Sequence, residues 1–254
     1  MRKPAPLLMA LLSKLLAATL LVASMASQPA LAQLRWVEGK HYIALPTTVG
    51  YETPAGKLEV LEVFSYGCIA CNSALPAMNK LKASLPSDTV MNFLHASFIP
   101  QEAWPMFQQA WLTAKALGLA EGTHDMMFAA IWETSEIPLL DRNTKRVRQP
   151  LPTIEDAARF YSRHAKVTEA KFLETAKSFA IATQMKRSDE LIKGWRIPST
   201  PSLVVNGRYL INNQEVGSWD GITQITLFLL SQERQRLKMP APAAKAATKP
   251  AASP

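Results

Sequence analysis

The run Leu58-Glu59-Val60-Leu61-Glu62-Val63-Phe64, followed at once by Ser65-Tyr66-Gly67-Cys68, constrains the fold more than any other segment. Seven residues rich in branched and aromatic side chains, bounded by turn residues, read as a buried strand. Beyond the Ser65–Gly67 break, Cys71, Leu75, Met78, Leu81 and Leu85 recur at helical spacing as far as Pro86, so Cys68 opens a helix. Pro76 lies inside that pattern and is expected to kink it, because proline lacks an amide hydrogen and crowds the preceding turn. A second strand is predicted from Val90 to Phe98.

From about Gln101 to Lys193 the signals are almost wholly helical. One helix covers 102–117 and stops at Gly118. Thr123 is expected to cap a segment through Trp132. Thr153 with Asp156 forms a capping box, and Thr168 ahead of Lys171 and Phe172 is a weaker cap. A longer helix over 178–193 stops at Gly194. Between these helices, residues 141–150 (DRNTKRVRQP) make a polar, basic connection. It reads as a substrate-contacting patch or as a solvated loop, the commoner fate of a charge run. Ser202–Val205 and Arg208–Ile211 then flank Asn206-Gly207, the strongest short hairpin signal, since both turn residues tolerate positive φ. A last amphipathic helix runs from Asp220 to about Leu237. Residues 239–254 are Pro/Ala/Lys low complexity and are expected to be disordered. No internal repeat is visible. The order of elements describes an α/β core with a helical domain inserted in its middle.

The composition fits a globular chain: 254 residues, 48% hydrophobic and 19% charged. Lys and Arg exceed Asp and Glu by 28 to 20, but the surplus forms no basic stripe interleaved with aromatics, which argues against nucleic-acid binding. Residues 1–32 have the three parts of a secretory signal: Arg2 and Lys3, an apolar stretch from Leu15 to Met25, and Ala30-Leu31-Ala32 ahead of Gln33. Lys14 divides the apolar run, leaving it shorter than the roughly 20 residues a membrane span needs. Cleavage after Ala32 removes Arg2, Lys3 and Lys14, so the net charge falls from +8 to +5. The remaining chain is expected to work in an oxidising compartment, where cysteine pairs persist as disulfides.

Cys68 and Cys71 are the only cysteines. One helical turn apart, they share a face and lie within reach of a disulfide. At the helix N-terminus Cys68 meets unpaired amide groups and the positive end of the dipole, which favour its thiolate and make it the nucleophile. Cys71 is then the resolving thiol. A purely structural disulfide closing so small a loop contributes little stability. A metal site needs two more ligands, and His41, His95, His124 and His164 show no paired spacing, so no metal and no cofactor are expected. A c-type haem site needs histidine after the second cysteine, where Asn72 stands. Redox exchange is the favoured reading.

The strand ending in LEVF, SYGCIAC at a helix start and Pro76 beyond it resemble the thioredoxin superfamily. The helical block between the two halves narrows the resemblance to the DsbA family of periplasmic thiol:disulfide oxidoreductases. Val37-Glu38-Gly39-Lys40-His41-Tyr42, Trp111 to Leu119 and Ile197 to Tyr209 are similar to it too, so the likeness runs over about residues 35–235. It implies a thioredoxin-like domain from 33–98 and 194–238 with an all-helical domain, 99–193, inserted. For DsbA proteins a low-pKa cysteine and an oxidising potential are already known.

By that resemblance Thr200-Pro201 is the family's cis-proline dipeptide beside the cysteine pair, where the Thr200 backbone can pair with an extended substrate chain. Ile69 and Ala70, between the cysteines, join Thr200 and Pro201 as expected substrate-binding residues. Pro201 read alone merely begins an edge strand. Glu62 occupies the place of an acidic residue that relays protons for the buried thiol, and burial should raise its pKa. The family's lysine partner is replaced by Phe93, which leaves Glu62 without a countercharge; exposure at a sheet edge is the competing reading. The best-known members carry Pro-His between the cysteines, so Ile69-Ala70, which cannot stabilise the thiolate as an imidazolium does, implies a milder oxidant.

The implied activity is donation of the Cys68–Cys71 disulfide to reduced secreted proteins in the periplasm, with reoxidation by a membrane quinone-linked partner of the DsbB type. An isomerase or reductase is the runner-up. Too few residues precede Leu58 for the dimerisation domain usual in isomerases of this superfamily, so a monomeric oxidase is favoured. A non-catalytic peptide-binding, chaperone-like module is the second class of function. Trp104, Met106, Phe107, Trp111, Met126, Met127, Phe128 and Trp132 would line its groove, although helical spacing makes most of them core residues.

Overall fold

The computed structural model describes residues 35–141 and 143–243. The predicted signal segment and residues 244–254 of the predicted tail lie outside them. Five strands form one sheet: β1 (Tyr42–Ala44), β2 (Leu58–Phe64), β3 (Thr89–His95), β4 (Ser202–Val205) and β5 (Tyr209–Ile211). Their order across the sheet is β1-β5-β4-β2-β3, with β2 and β3 parallel and the other neighbours antiparallel. β2 lies between β3 and β4, and all seven of its residues are buried. That explains why apolar residues occur on both faces of the strand, which has no solvent side to keep polar; Glu59 and Glu62 are the buried exceptions.

Successive side chains of β2 serve two cores. Leu58 and Val60 pack with Met78, Leu81, Leu203 and Ile225 on one face. Leu61 and Val63 pack with Leu94, Phe107, Trp111 and Phe128 on the other. Full burial of each such side chain is worth roughly 1.5–3 kcal/mol, so β2 is the seam between the two layers. The first core is closed by α1 (Ile69–Ser84) and by α8 (Trp219–Leu237); a short α7 (Asn213–Val216) precedes α8. The second is closed by helices that fall between β3 and β4 in the chain: α2 (Trp104–Ala116), α3 (Ala120–Trp132), α4 (Ile154–His164), α5 (Glu169–Ala176) and α6 (Phe179–Gly194).

Local signals and outcome agree at most boundaries. α1 continues through Pro76 as one helix. Thr153 and Asp156 form the reciprocal capping box of α4, and Thr168 caps α5. Asn206 and Gly207 adopt φ of 51° and 60°, which lets β4 turn directly into β5. Three expectations are corrected. β3 ends at His95 rather than Phe98, because its partner β2 ends at Phe64, paired with His95. Thr123 does not start α3; the helix begins at Ala120, and Thr123 Oγ1 donates to the Leu119 carbonyl from within it. Gly194 is the last residue of α6, and its stop follows at Trp195. The three-residue β1 and the short α7 had no sequence signal.

Two glycines at positive φ separate strain from steric fit. Gly118 (φ +70°) has open space where a Cβ would sit, whereas at Gly207 (φ +60°) a Cβ would lie 2.1 Å from the Val49 carbonyl oxygen. Gly118→Ala should therefore cost about 1 kcal/mol, from backbone strain alone. Gly207→Ala should cost about 2–4 kcal/mol, because the backbone at Val49 must also move. Thermal unfolding of the two variants checks this, at roughly 2–4 °C per kcal/mol for a chain of this length; equal losses would contradict it.

Candidate active site

The chain leaves β2 at Phe64 and must reach the first turn of α1 in four residues. Ser65 organises that passage: its carbonyl accepts from the Cys68 N–H at 3.1 Å and its hydroxyl oxygen from the Gly67 N–H at 3.1 Å. Gly67 is required for a steric reason, since a Cβ there would lie 2.7 Å from the Trp104 indole ring. Cys68 is thereby set as the N-cap of α1, with extended backbone (φ −94°, ψ 113°) and its sulfur accepting the Cys71 N–H at 3.4 Å. An N-cap acceptor normally comes from Ser, Thr, Asp or Asn. Here a thiol occupies the position where unpaired amides favour negative charge.

Across from it, the Thr200–Pro201 peptide is cis, and the Cys68 thiol donates to the Thr200 carbonyl at 3.5 Å. The Thr200 hydroxyl is buried with no other partner, which leaves it free to donate to the sulfur once Cys68 ionises. Both cysteines carry free thiols. The Cys68 pKa is lowered to about 6. The hydrogen bond from Cys71 is the largest cause, and the Thr200 side chain and the N–H groups of Cys71 and Ala70 add to it against the opposing effect of burial. Cys71, almost completely buried, is driven the other way by desolvation and then by the sulfur of Cys68. The two thiols are thus sharply differentiated, one poised as a thiolate and the other held as a thiol.

Glu62 lies in β2 with 3% of its surface exposed, which excludes the edge-exposed reading. Its register partner on β3 is Phe93, so a ring stands opposite it in place of a cation. Burial, and then the charge of Cys68, push its pKa up to about 8. Glu59, three residues earlier and also buried, was not singled out from the sequence. Its carboxylate accepts from the Tyr51 N–H (3.0 Å), the Glu52 N–H (3.2 Å) and the Asn92 amide. A saturated carboxylate of this kind ties a loop to the sheet. Glu62 has no such donors and stands near the sulfurs instead.

The histidines with no shared spacing contribute a feature the sequence concealed. Tyr66, fully buried, donates its N–H to His95 Nε2 at 3.0 Å, while His95 Nδ1 pairs with the Ala96 carbonyl at 2.8 Å, which assigns the neutral tautomer. The Tyr66 hydroxyl meets His124 Nδ1 at 3.1 Å, and Trp132 Nε1 donates to the Tyr66 carbonyl at 2.9 Å. Burial holds both imidazoles neutral, with pKa values near 3. Tyr66 is therefore clamped from β3 and from α3, two residues ahead of the reactive sulfur. Only tertiary structure brings positions 66, 95 and 124 together. Among the described residues no group of three His, Cys, Asp or Glu side chains is placed to hold a metal.

Beside Cys68 runs a groove of about 770 Å³, whose walls include Ile69, Phe98, Trp104, Trp132, Leu140 and Ile197. Of the aromatic and methionine residues proposed for a groove, Trp104 and Trp132 line it. Phe107, Trp111, Met127 and Phe128 are core, Met106 is half-buried, and Met126 is partly exposed at the surface.

Glu62 yields a prediction whose sign is fixed. Its folded pKa of about 8 lies above the ordinary 4.5, so the native state keeps a proton that the unfolded chain loses. Its contribution to stability is intact below pH 4.5 and is lost as pH rises to about 8. Glu62→Gln removes that penalty. In urea titrations of the reduced protein, the variant should match the parent at pH 4 and exceed it by on the order of 2–4 kcal/mol at pH 9. A gain confined to low pH would contradict the assignment.

No family model matches the chain. It is 31% identical over 196 residues to the thiol:disulfide interchange protein DsbA of Azotobacter vinelandii, covering 77% of this chain and 84% of the relative. The crystal structure of DsbA from Pseudomonas aeruginosa superposes with a TM-score of 0.67 at 29% identity, over 80% of this chain and 97% of that one. DsbA from Xylella fastidiosa gives a TM-score of 0.68 at 28% identity, over 79% and 98%. With a thioredoxin-like sheet interrupted by helices, a cysteine pair at a helix start and these relatives, the chain belongs to the DsbA family of thiol:disulfide oxidoreductases.

Proposed function

We propose that this chain donates the Cys68–Cys71 disulfide to reduced proteins in the periplasm, after removal of residues 1–32. The observation that carries the reading is the placement of Cys68 as N-cap of α1 with Thr200 against its sulfur. In the first step a substrate thiolate attacks Cys68 Sγ, the Cys68–Cys71 bond breaks, and a mixed disulfide forms. The departing Cys71 sulfur is a poor anion in its buried position and takes a proton, which Glu62, protonated at neutral pH, is suited to supply. In the second step another substrate thiolate attacks the substrate sulfur of the mixed disulfide. Cys68 leaves as a thiolate, a good leaving group because its pKa is low. The substrate loses two electrons and the protein gains them.

Thr200, Ile69 and Ala70 line the groove at Cys68, and Pro201 follows Thr200 through the cis bond; an extended substrate segment would lie along them. A quinone-linked membrane protein of the DsbB type would restore the disulfide, and a monomer would suffice for each step. The isomerase and the non-catalytic binding module remain the alternatives to be separated. Oxidative refolding of reduced hirudin does so: the oxidised protein should yield native disulfides stoichiometrically, and Cys68→Ala should abolish this. In a glutathione buffer that supplies the oxidant, refolding accelerated equally by the parent and by Cys68→Ala would favour the binding module. Activity confined to reshuffling scrambled hirudin would favour the isomerase.

The residues between the cysteines set the poise. Ala70→His would place an imidazolium beside the Cys68 thiolate and lower its pKa further. Each unit is worth about 1.4 kcal/mol, equivalent to roughly 30 mV of two-electron potential. Glutathione equilibration of the variant should show the potential rising by about 30 mV per unit that its thiolate pKa falls. A lower pKa with an unchanged potential would mean that thiolate stabilisation does not govern the poise.

A further inference from the structure

The groove beside Cys68 is apolar along most of its length, yet one wall is the arm of a strongly basic hairpin. Leu139 and Leu140 line the groove, and the chain returns antiparallel to them through a bridge between Leu140 and Val147. The Arg148 N–H donates to the Leu139 carbonyl at 2.9 Å, and the Asp141 N–H to the Arg146 carbonyl at 2.8 Å. Leu139 and Arg148 are therefore a cross-strand pair, and such pairs project their side chains from the same face. Arg148 is exposed where Leu139 is buried, so this cation sits across the hairpin from a groove-lining residue, outside the groove's own lining. Lys145 and Arg146 extend the positive surface along the returning arm.

Among the described residues these cations form no close ion pair: no carboxylate lies within 4.0 Å of Lys145, Arg146 or Arg148. The neighbouring Asp141 accepts from the Asn143 and Thr144 N–H groups and the Thr144 hydroxyl, and its charge offsets that of Arg148 only in part, across water. Among the described residues Glu102 is the one carboxylate lining the groove, and it is held by the Trp104 indole N–H at 3.2 Å. The surface thus joins an apolar channel at the reactive sulfur to a hairpin whose exposed cations outnumber its one carboxylate among the described residues.

We propose that this hairpin selects substrates, favouring cysteine-bearing segments in which apolar residues near the cysteine are accompanied by Asp or Glu. The preference rests on the oxidase reading above and deepens it. Because Glu102 opposes an acidic residue over Trp104, the selectivity depends on which side of the substrate cysteine the acid lies. Charge complementarity of this kind acts chiefly on the rate of encounter and weakens with salt.

The test uses the full oxidised protein and extended dithiol peptides of one apolar sequence. Each carries a pair of Asp, a pair of Lys or a pair of Ser, on either the N-terminal or the C-terminal side of the cysteine. At low ionic strength the better-placed Asp peptide should be oxidised about tenfold faster than its Lys counterpart. The ratio should fall below twofold in 0.5 M salt, and also in K145S/R146S/R148S, whose folding is checked by its unfolding midpoint. A ratio of one for both placements, or a ratio that survives in the triple variant, overturns the proposal. So does a flat ratio with binding to anionic phospholipid vesicles, which would assign the hairpin to a lipid surface. Phe98→Ser distinguishes failure of the groove reading itself: if the Ser peptide reacts as fast with that variant as with the parent, the substrate does not lie in the groove.

Discussion

Everything distinctive about this molecule depends on a negative sulfur being tolerable at one end of one helix. Cys68 takes the N-cap position of α1, where a hydroxyl or carboxylate is usual, and the amide of Cys71 points at its sulfur. Four weak donors, from Cys71 twice, Ala70 and Thr200, outweigh the burial that alone would keep the thiol neutral. No imidazole takes part, because Ile69 and Ala70 occupy the positions between the cysteines. The same sulfur then acts on its surroundings: it raises the pKa of Cys71 and adds to the elevation of Glu62. Nucleophile, resolving thiol and proton carrier are set apart by one charge and by depth of burial.

The scaffold exists to hold that arrangement still. β2, buried along its whole length, carries Glu62 and delivers the chain to Ser65, and its parallel neighbour β3 supplies His95 to the Tyr66 amide. The helical layer reaches the same segment from the other side, through Trp132 to the Tyr66 carbonyl and through the Trp104 ring against Gly67. β4 begins directly after Pro201 and so places Thr200 opposite Cys68. Two packed cores that meet at one strand thereby hold Glu62, the Ser65–Gly67 turn and Thr200 around two sulfurs.

Much of this was legible in the sequence where the governing interaction is local. A seven-residue segment rich in branched and aromatic side chains, an Asn-Gly turn and a Thr-x-x-Asp box each announce themselves because strand propensity, positive φ and capping involve neighbours only. Thr123 misled for the same reason: a threonine near a helix start looks like a cap, but its hydroxyl serves equally well inside the helix. The cysteine pair and the proline opposite it were legible through spacing and family likeness. The clamp on Tyr66 was not, since its partners lie 29 and 58 positions away and only packing unites them. Glu59 and Glu62 look alike in a sequence. Hydrogen-bond donors saturate the first and not the second, and that difference is visible only in three dimensions.

The most direct measurement is the ultraviolet absorbance of the thiolate in the reduced protein, followed from pH 3 to pH 10. A one-thiolate transition centred near pH 6, absent in Cys68→Ala, is the expected result. A midpoint between 8 and 9, the range of an ordinary cysteine, would contradict it and would mean that the helix terminus and Thr200 do not stabilise the Cys68 anion.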